Sequence, residues 1–325
     1  MSLLSLVLTL RPLQPAAGAP HLGRAAQAVL LDAVRQSEPG LAEEIHAGSG
    51  LRPFTASNLI GYSVRKRTTS VSPERTYTLR FTALTGAVAR ALLAATTPTP
   101  NLTPGPSPRL RAPEAAEPLP TGRERRGERG PLAVGATVRL DESLFRVETV
   151  DCGLPIADHE SEVPDSKSQA PNPQSPHPWA AATSYQSLSA PWLLGRARPE
   201  SRLSLQFASP TTFKSGEKHV PVPLPGLVFG SLLERWNAFA PVALPAETRR
   251  FADECLALTA YELSTRMIPV KEGGLRAGAV GWVRYTALNH DRYWLSLINL
   301  LADFALFAGV GAGTGMGLGQ CRRCT

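Results

Sequence analysis

The chain has 325 residues, with 34 Lys and Arg against 27 Asp and Glu, a formal excess of +7 at neutral pH. That length corresponds to about two domains. An apolar content of 43% supplies real cores, which excludes a wholly unfolded or fibrous chain. Thirty prolines in 325 residues, about 9% against a usual ~5%, are clustered and point to unfolded inserts in a folded chain. Four cysteines, Cys152, Cys255, Cys321 and Cys324, make no disulfide framework at this length, so a reducing, cytoplasmic setting is expected.

The apolar start, Met1 to Leu10, has no positive charge before it and the length of a strand, so it is read as a strand rather than a signal peptide. Leu3–Leu10 is the first strand and Ala25–Gln36 the first helix. Ser63–Lys66 and Thr76–Thr82 follow as strands, joined around Ser72-Pro73-Glu74. Thr85–Ala95 is a helix, and Thr137–Val150 holds one or two strands. The segment 97–131 contains nine prolines, three leucines and no aromatic residue, so it cannot bury enough surface to offset its ordering entropy. Segment 158–178 has Val163 as its only large apolar residue. Both are expected to be disordered inserts.

Beyond Arg196–Arg198 the same order returns. Arg202–Phe207 is a strand, Leu224–Phe239 and Ala246–Leu256 are helices, and Tyr261–Val270 and Ala279–Leu288 alternate as strands. Asp291–Phe307 is a long helix and Leu318–Arg322 a last strand. Tyr293–Gly309 is too short for a membrane span and carries Asp303. The order βαββαβ in each half is that of the ferredoxin-like unit. The expected fold is α+β: tandem ferredoxin-like domains with antiparallel sheets, residues 1–196 and 197–325.

The strongest local feature is 309–320, GVGAGTGMGLGQ, in which six glycines alternate with other residues. No Gly-Lys-Ser/Thr follows it, and it does not run from strand into helix, so neither nucleotide-binding fingerprint fits. Its glycines would let backbone N–H groups approach phosphate oxygens closely. A turn packed tightly against a sheet explains the same composition.

The pattern Gly309-x-Gly311-x-x-Thr314-x-x-Gly317-x-Gly319 resembles the C-terminal glycine-rich signature of the RAMP superfamily, tandem ferredoxin-like RNA-binding proteins of CRISPR systems. Two further segments are similar to the CRISPR-associated endoribonuclease of that superfamily. One is His46 followed by Arg52-Pro53-Phe54-Thr55-Ala56-Ser57; the other is 208–214, ASPTTFK. The resemblance implies cleavage of precursor CRISPR RNA within its repeats, leaving 2′,3′-cyclic phosphate and 5′-hydroxyl ends, with no cofactor and no metal. Among six histidines, His46 is the catalytic candidate, in a polar, Gly-flanked loop after a helix. Imidazoles ordinarily exchange protons near neutrality.

Many relatives add a tyrosine on the first helix and a lysine after the histidine. Here that helix has no Tyr, and Arg52 stands in the lysine's place, suited to stabilising a phosphorane and not to donating a proton. RNA-binding candidates are Gly309, Gly311, Thr314, Gly317 and Gly319, with Lys214, Lys271 and Arg276 nearby. Arg65-Lys66-Arg67 and Arg123–Arg129 are basic clusters without an assigned role. Trp236, Trp282 and Trp294 are expected in the core. Cys321-x-x-Cys324 lacks the second Cys or His pair of a zinc site. Expected partners are CRISPR repeat RNA, subunits of a CRISPR interference complex and a second copy of the chain, with no membrane. A RAMP-type subunit that binds CRISPR RNA without cutting it is the alternative reading.

Overall fold

The computed structural model describes residues 1–18, 21–48, 50–61, 69–97, 130–153, 177–269 and 274–324. The first half runs β1 (Leu3–Pro12), β2 (Ala16–Gly18), α1 (Gly23–Ser37), α2 (Pro39–Ala47), β3 (Phe54–Ala56), β4 (Thr69–Val71), β5 (Tyr77–Ala83) and α3 (Gly86–Thr96). It continues with β6 (Thr137–Leu140), β7 (Ser143–Asp151), β8 (Ala181–Thr183) and α4 (Tyr185–Leu193). The second half runs β9 (Arg202–Thr211), β10 (Phe213–Ser215), β11 (Lys218–Val220), α5 (Pro225–Phe239), α6 (Glu247–Cys255), β12 (Leu256–Pro269), β13 (Leu275–Ala287), α7 (Arg292–Ala308) and β14 (Cys321–Cys324).

The larger sheet has the order β3-β5-β1-β7-β6, with β8 on the start of β1, and the other the order β12-β13-β9-β14. Every pairing in them is antiparallel. In the smaller sheet the first strand, β9, sits between the third, β13, and the last, β14, with the second, β12, beyond the third; in the larger, β1 likewise sits between β5 and β7 with β3 beyond β5, and β6 is added outside β7. This is the ferredoxin-like arrangement, present twice.

Local sequence explains the elements. Strand β1 is buried at eight of its ten residues because it is the central strand of its sheet. Helix α1 buries Ala26, Leu30, Ala33 and Val34, one stripe at helical spacing. Asp291 caps α7, accepting from the N–H groups of Tyr293 at 2.9 Å and Trp294 at 3.3 Å. Helix α7 is buried almost all round because it packs on its own sheet and against β1, β3 and β5 of the first half.

The halves are locked together through Arg80, which is only 1% exposed. Its guanidinium donates to Ser5 Oγ at 2.8 Å, to the Gln320 side-chain oxygen and to the Leu306 carbonyl. Thr82 Oγ1 donates to the Phe307 carbonyl at 2.7 Å. Trp179 lies at the same junction, its ring 5.0 Å from the Arg80 guanidinium and 4.7 Å from that of Arg322.

Several elements differ from the expectation. His46 falls inside α2 rather than in a loop, because Pro39 opens a helix that buries Ala42 and Ile45. Strand β12 begins at Leu256, directly after α6, instead of at Tyr261, and β14 begins at Cys321 because 309–320 is folded as a loop. Trp236 is a core residue, and Trp294 stacks on Phe251 at 5.9 Å. Trp282 is on the open face of its sheet, with Arg284 5.8 Å over its ring. The expected strand at 63–66, the Arg65-Lys66-Arg67 cluster, Arg123–Arg129 and most of both expected inserts lie outside the described residues. The flanks of the first insert meet: Gly130 N–H donates to Thr97 O at 3.2 Å and Leu132 N–H to Ala95 O at 2.9 Å. Beside the second insert, the His177 N–H donates to the Asp151 carboxylate.

Candidate functional site

The glycine loop is built by its own hydrogen bonds. Gly309 N–H closes α7 by donating to Ala305 O at 3.0 Å, and Val310 N–H donates to Gly319 O at 2.8 Å. Ala312 N–H reaches Thr212 O at 2.8 Å, and Gly311 N–H reaches Ser231 Oγ on α5 at 2.9 Å. Gly319 N–H donates to Pro210 O at 3.1 Å. Thr314 is buried inside the loop. Gly311 has φ 74°, and a Cβ there would fall on the Thr212 carbonyl. The N–H groups at 309–312 and 316–319 therefore donate within the protein rather than outward. The geometry expresses the tight-turn reading in full and leaves little room for a phosphate cradle made from those donors.

The loop also clasps the first half. Gly317 N–H donates to Ala56 O of β3 at 2.9 Å, and Ser57 pairs with Gly317 as an isolated bridge. Gly317 has φ 91°, and a Cβ there would sit 2.9 Å from the His21 ring and 3.0 Å from Gly23 Cα at the start of α1. His21 Nε2 lies 2.8 Å from Met316 O, a contact in which the imidazole N–H donates. Burial holds the His21 imidazole below its ordinary range. Sequence reading gave His21 no role; nothing in its neighbours marks it, since its partner lies 295 residues away.

His46 is exposed in the last turn of α2. Arg52 is partly committed: its Nη1 donates to the Ile45 carbonyl, closing the C-terminal end of the helix that carries His46. The segment between His46 and β3 reaches the glycine loop through Leu51. Leu51 lines a cavity of about 160 Å³ together with Gly311, Ala312, Phe213, Lys214 and Arg235.

Lys214 sits in the β10–β11 hairpin opposite His219. The His219 imidazole is held below its ordinary range by burial first, then by the charges of Arg276 and Lys214. Lys214 and Arg276 thus both act on the charge of one imidazole. Lys271 lies outside the described residues. The structure adds Arg235 and Arg249 to the basic groups of the cleft. Arg235 was legible in principle, as one cation among the apolar positions of 225–239. Among the described residues no group of three or more His, Cys, Asp or Glu is arranged for a metal. Cys321 is buried, which pushes its thiol well up. No described helix is long and apolar enough to cross a membrane.

Comparison with known proteins agrees with this architecture. Residues 205–321 match the family model described as CRISPR-associated endoribonuclease Cas6. The CRISPR-associated endoribonuclease Cas6 of Mycobacterium tuberculosis is 32% identical over 130 residues, 39% of this chain and 40% of that protein. The match thus spans less than half the length of this curated relative. A solved Cas6 product complex is 25% identical, with TM-score 0.63 and all of both chains covered. Thermus thermophilus Cas6 is 20% identical with TM-score 0.63, covering 99% of this chain and 98% of that one, a likeness of fold. The C-terminal half is thus similar to the Cas6 family, and the whole chain is similar in fold to solved Cas6 structures, a RAMP-type tandem ferredoxin-like architecture.

Proposed function

We propose that the protein is an endoribonuclease that cuts precursor CRISPR RNA within its repeats. The observation that carries the reading is a juxtaposition. Leu51, between His46 and β3, shares a basic cleft with the glycine loop, Lys214 and Arg235. Residues 1–196 would supply the proton-transfer group and residues 197–325 the loop and most of the cations.

RNA carries its own nucleophile in the 2′-hydroxyl beside each phosphate. In the proposed reaction the 2′-oxygen bonds to phosphorus and the bond from phosphorus to the 5′-oxygen breaks. His46 takes the 2′-hydroxyl proton or supplies the proton that the leaving 5′-oxygen needs. Arg52 has guanidinium N–H groups beyond the one given to Ile45, and these offset charge on the phosphorane. The products are a 2′,3′-cyclic phosphate and a 5′-hydroxyl, and the chemistry needs no metal. One observation favours a second proton carrier: His21 is bonded to the glycine loop itself, with Nδ1 left as its acceptor nitrogen.

The test is incubation of the protein with its host's repeat RNA in EDTA, followed by end-group analysis. Cyclic phosphate and 5′-hydroxyl ends are expected. Tight binding without cleavage would instead identify an RNA-binding subunit, and loss of cutting in EDTA would overturn the metal-independent route.

A further inference from the structure

We infer that the cleft between α5 and the glycine loop is a seat for one backbone phosphate of the RNA strand, with Arg235 at its base. The inference rests on the RNA-processing reading above and names a site for that substrate.

Helix α5 buries Val228, Phe229, Leu232 and Trp236, and Arg235 stands among them at 5% exposure. A guanidinium so placed loses its water and needs compensation. It has little. Its Nη2 donates to Gly311 O at 2.8 Å, while its Nε is buried without any acceptor. Among the described residues no carboxylate lies within ion-pair distance of it, and neighbouring Glu234 acts on it only through space. Burial lowers Arg235 to about 10, which leaves it charged at neutral pH.

Arg235 lines the cavity of about 160 Å³, and Lys214, Arg249 and Ser231 line it too. Glu234 is the one carboxylate there, 3.9 Å from Arg249 Nη1. Three cations against one anion leave the cleft two positive charges in excess. The Ser231 hydroxyl accepts from Gly311 N–H, so its own proton is free to donate to an oxygen in the cleft. An anion with several acceptor oxygens answers each of these needs, and guanidinium groups match phosphate geometry well. The glycine loop's part is then indirect: its Gly311 carbonyl orients Arg235, and its inward N–H groups hold that carbonyl in place.

The experiment uses 2′-O-methyl repeat RNA, which has no nucleophile and is not cut, and an unrelated 2′-O-methyl RNA of equal length. Binding is read by fluorescence anisotropy over a salt series. The variant Lys214→Gln/Arg249→Gln changes two exposed side chains, so folding is retained. It should bind about tenfold more weakly, and its slope of log affinity against log salt should fall by roughly 0.7 for one lost phosphate contact. Arg235→Lys, which keeps a donor for Gly311, should weaken binding in the same direction. The control Arg198→Gln/Arg292→Gln removes two charges from a separate cavity of about 840 Å³ and should leave the slope unchanged. Unchanged affinity and slope in the cleft variants, or an equal loss in the control, overturns the site. Cleavage of unmodified repeat RNA by the unaltered protein is scored in parallel. If the protein cuts repeats while the cleft variants bind normally, the site fails and the processing reading stands. If it cuts nothing but the cleft variants lose RNA affinity, the site stands and the processing reading fails. Absence of RNA binding by the unaltered protein overturns both.

Discussion

In the proposed reaction one imidazole, that of His46, carries the proton transfer. His46→Ala should lower cleavage by about 10²–10⁴-fold, the usual contribution of one acid–base group. Binding should persist, because it rests on many phosphate contacts. Gel shift and product analysis on the same samples separate the two, and near-normal cutting would transfer the role to another group, with His21 first. Acid sensitivity is a second property of single residues. His21, His177 and His219 are each held below the ordinary imidazole range, chiefly by burial. As pH falls through ~6.5 the unfolded chain takes up protons that the folded chain resists, so stability is present above that range and is lost on acidification. The melting temperature should drop between pH 7.5 and pH 5.5, and the drop should be smaller in His21→Asn. An equal drop in both would show that His21 contributes nothing to it.

Arg80 makes a comparable case for stability. Arg80→Met keeps much of the bulk but removes the donors to Ser5, Gln320 and the Leu306 carbonyl. Leaving buried acceptors unpaired costs ~1–3 kcal/mol each, offset in part by no longer burying a charge. A net loss of about 2 kcal/mol in urea unfolding is expected, and a gain would mean the charge is a burden there.

Among the elements, the glycine loop and α2 respond in opposite ways to a methyl group. Gly311→Ala forces an L-residue into a left-handed conformation, at a cost of ~1–3 kcal/mol, and pushes its Cβ onto the Thr212 carbonyl. Gly40 lies in α2 with nothing near its missing Cβ. Gly40→Ala should therefore stabilise that helix by up to ~1 kcal/mol. Thermal unfolding of the two variants should move to opposite sides of the unaltered protein. A loop variant that melts normally would show that the fold does not depend on the left-handed conformation at Gly311.

For the whole molecule, Thr97 and Gly130 meet, so the ends of 98–129 are close enough to be joined directly. Replacing 98–129 by a short linker should leave the melting temperature and RNA affinity close to those of the full chain. A large fall in either would give that segment a part in the folded body or in the site.

The βαββαβ order was legible in the second half, and in the first half apart from its second strand, which the sheet supplies from Phe54–Ala56, because strand and helix periods, caps and apolar runs are local properties and a three-residue strand has almost none. Leu3–Leu10, Asp291 before α7 and the alternation of 279–288 carry that information in their own residues. The glycine loop was legible as a special backbone, and its N–H groups at 309–312 and 316–319 face inward, which composition alone does not determine. Helix α2 was missed because a nine-residue helix opened by Pro39 with two buried residues leaves almost no periodic signal. What needed the tertiary structure was every pairing across the chain: His21 with Met316, Arg80 with Gln320 and Leu306, and Arg235 with Gly311. Sequence sets which groups are able to donate, accept or carry charge. Which donor meets which acceptor, and which cation is left buried without one, follows only when two sheets close on one another and remove the water that would otherwise satisfy them all.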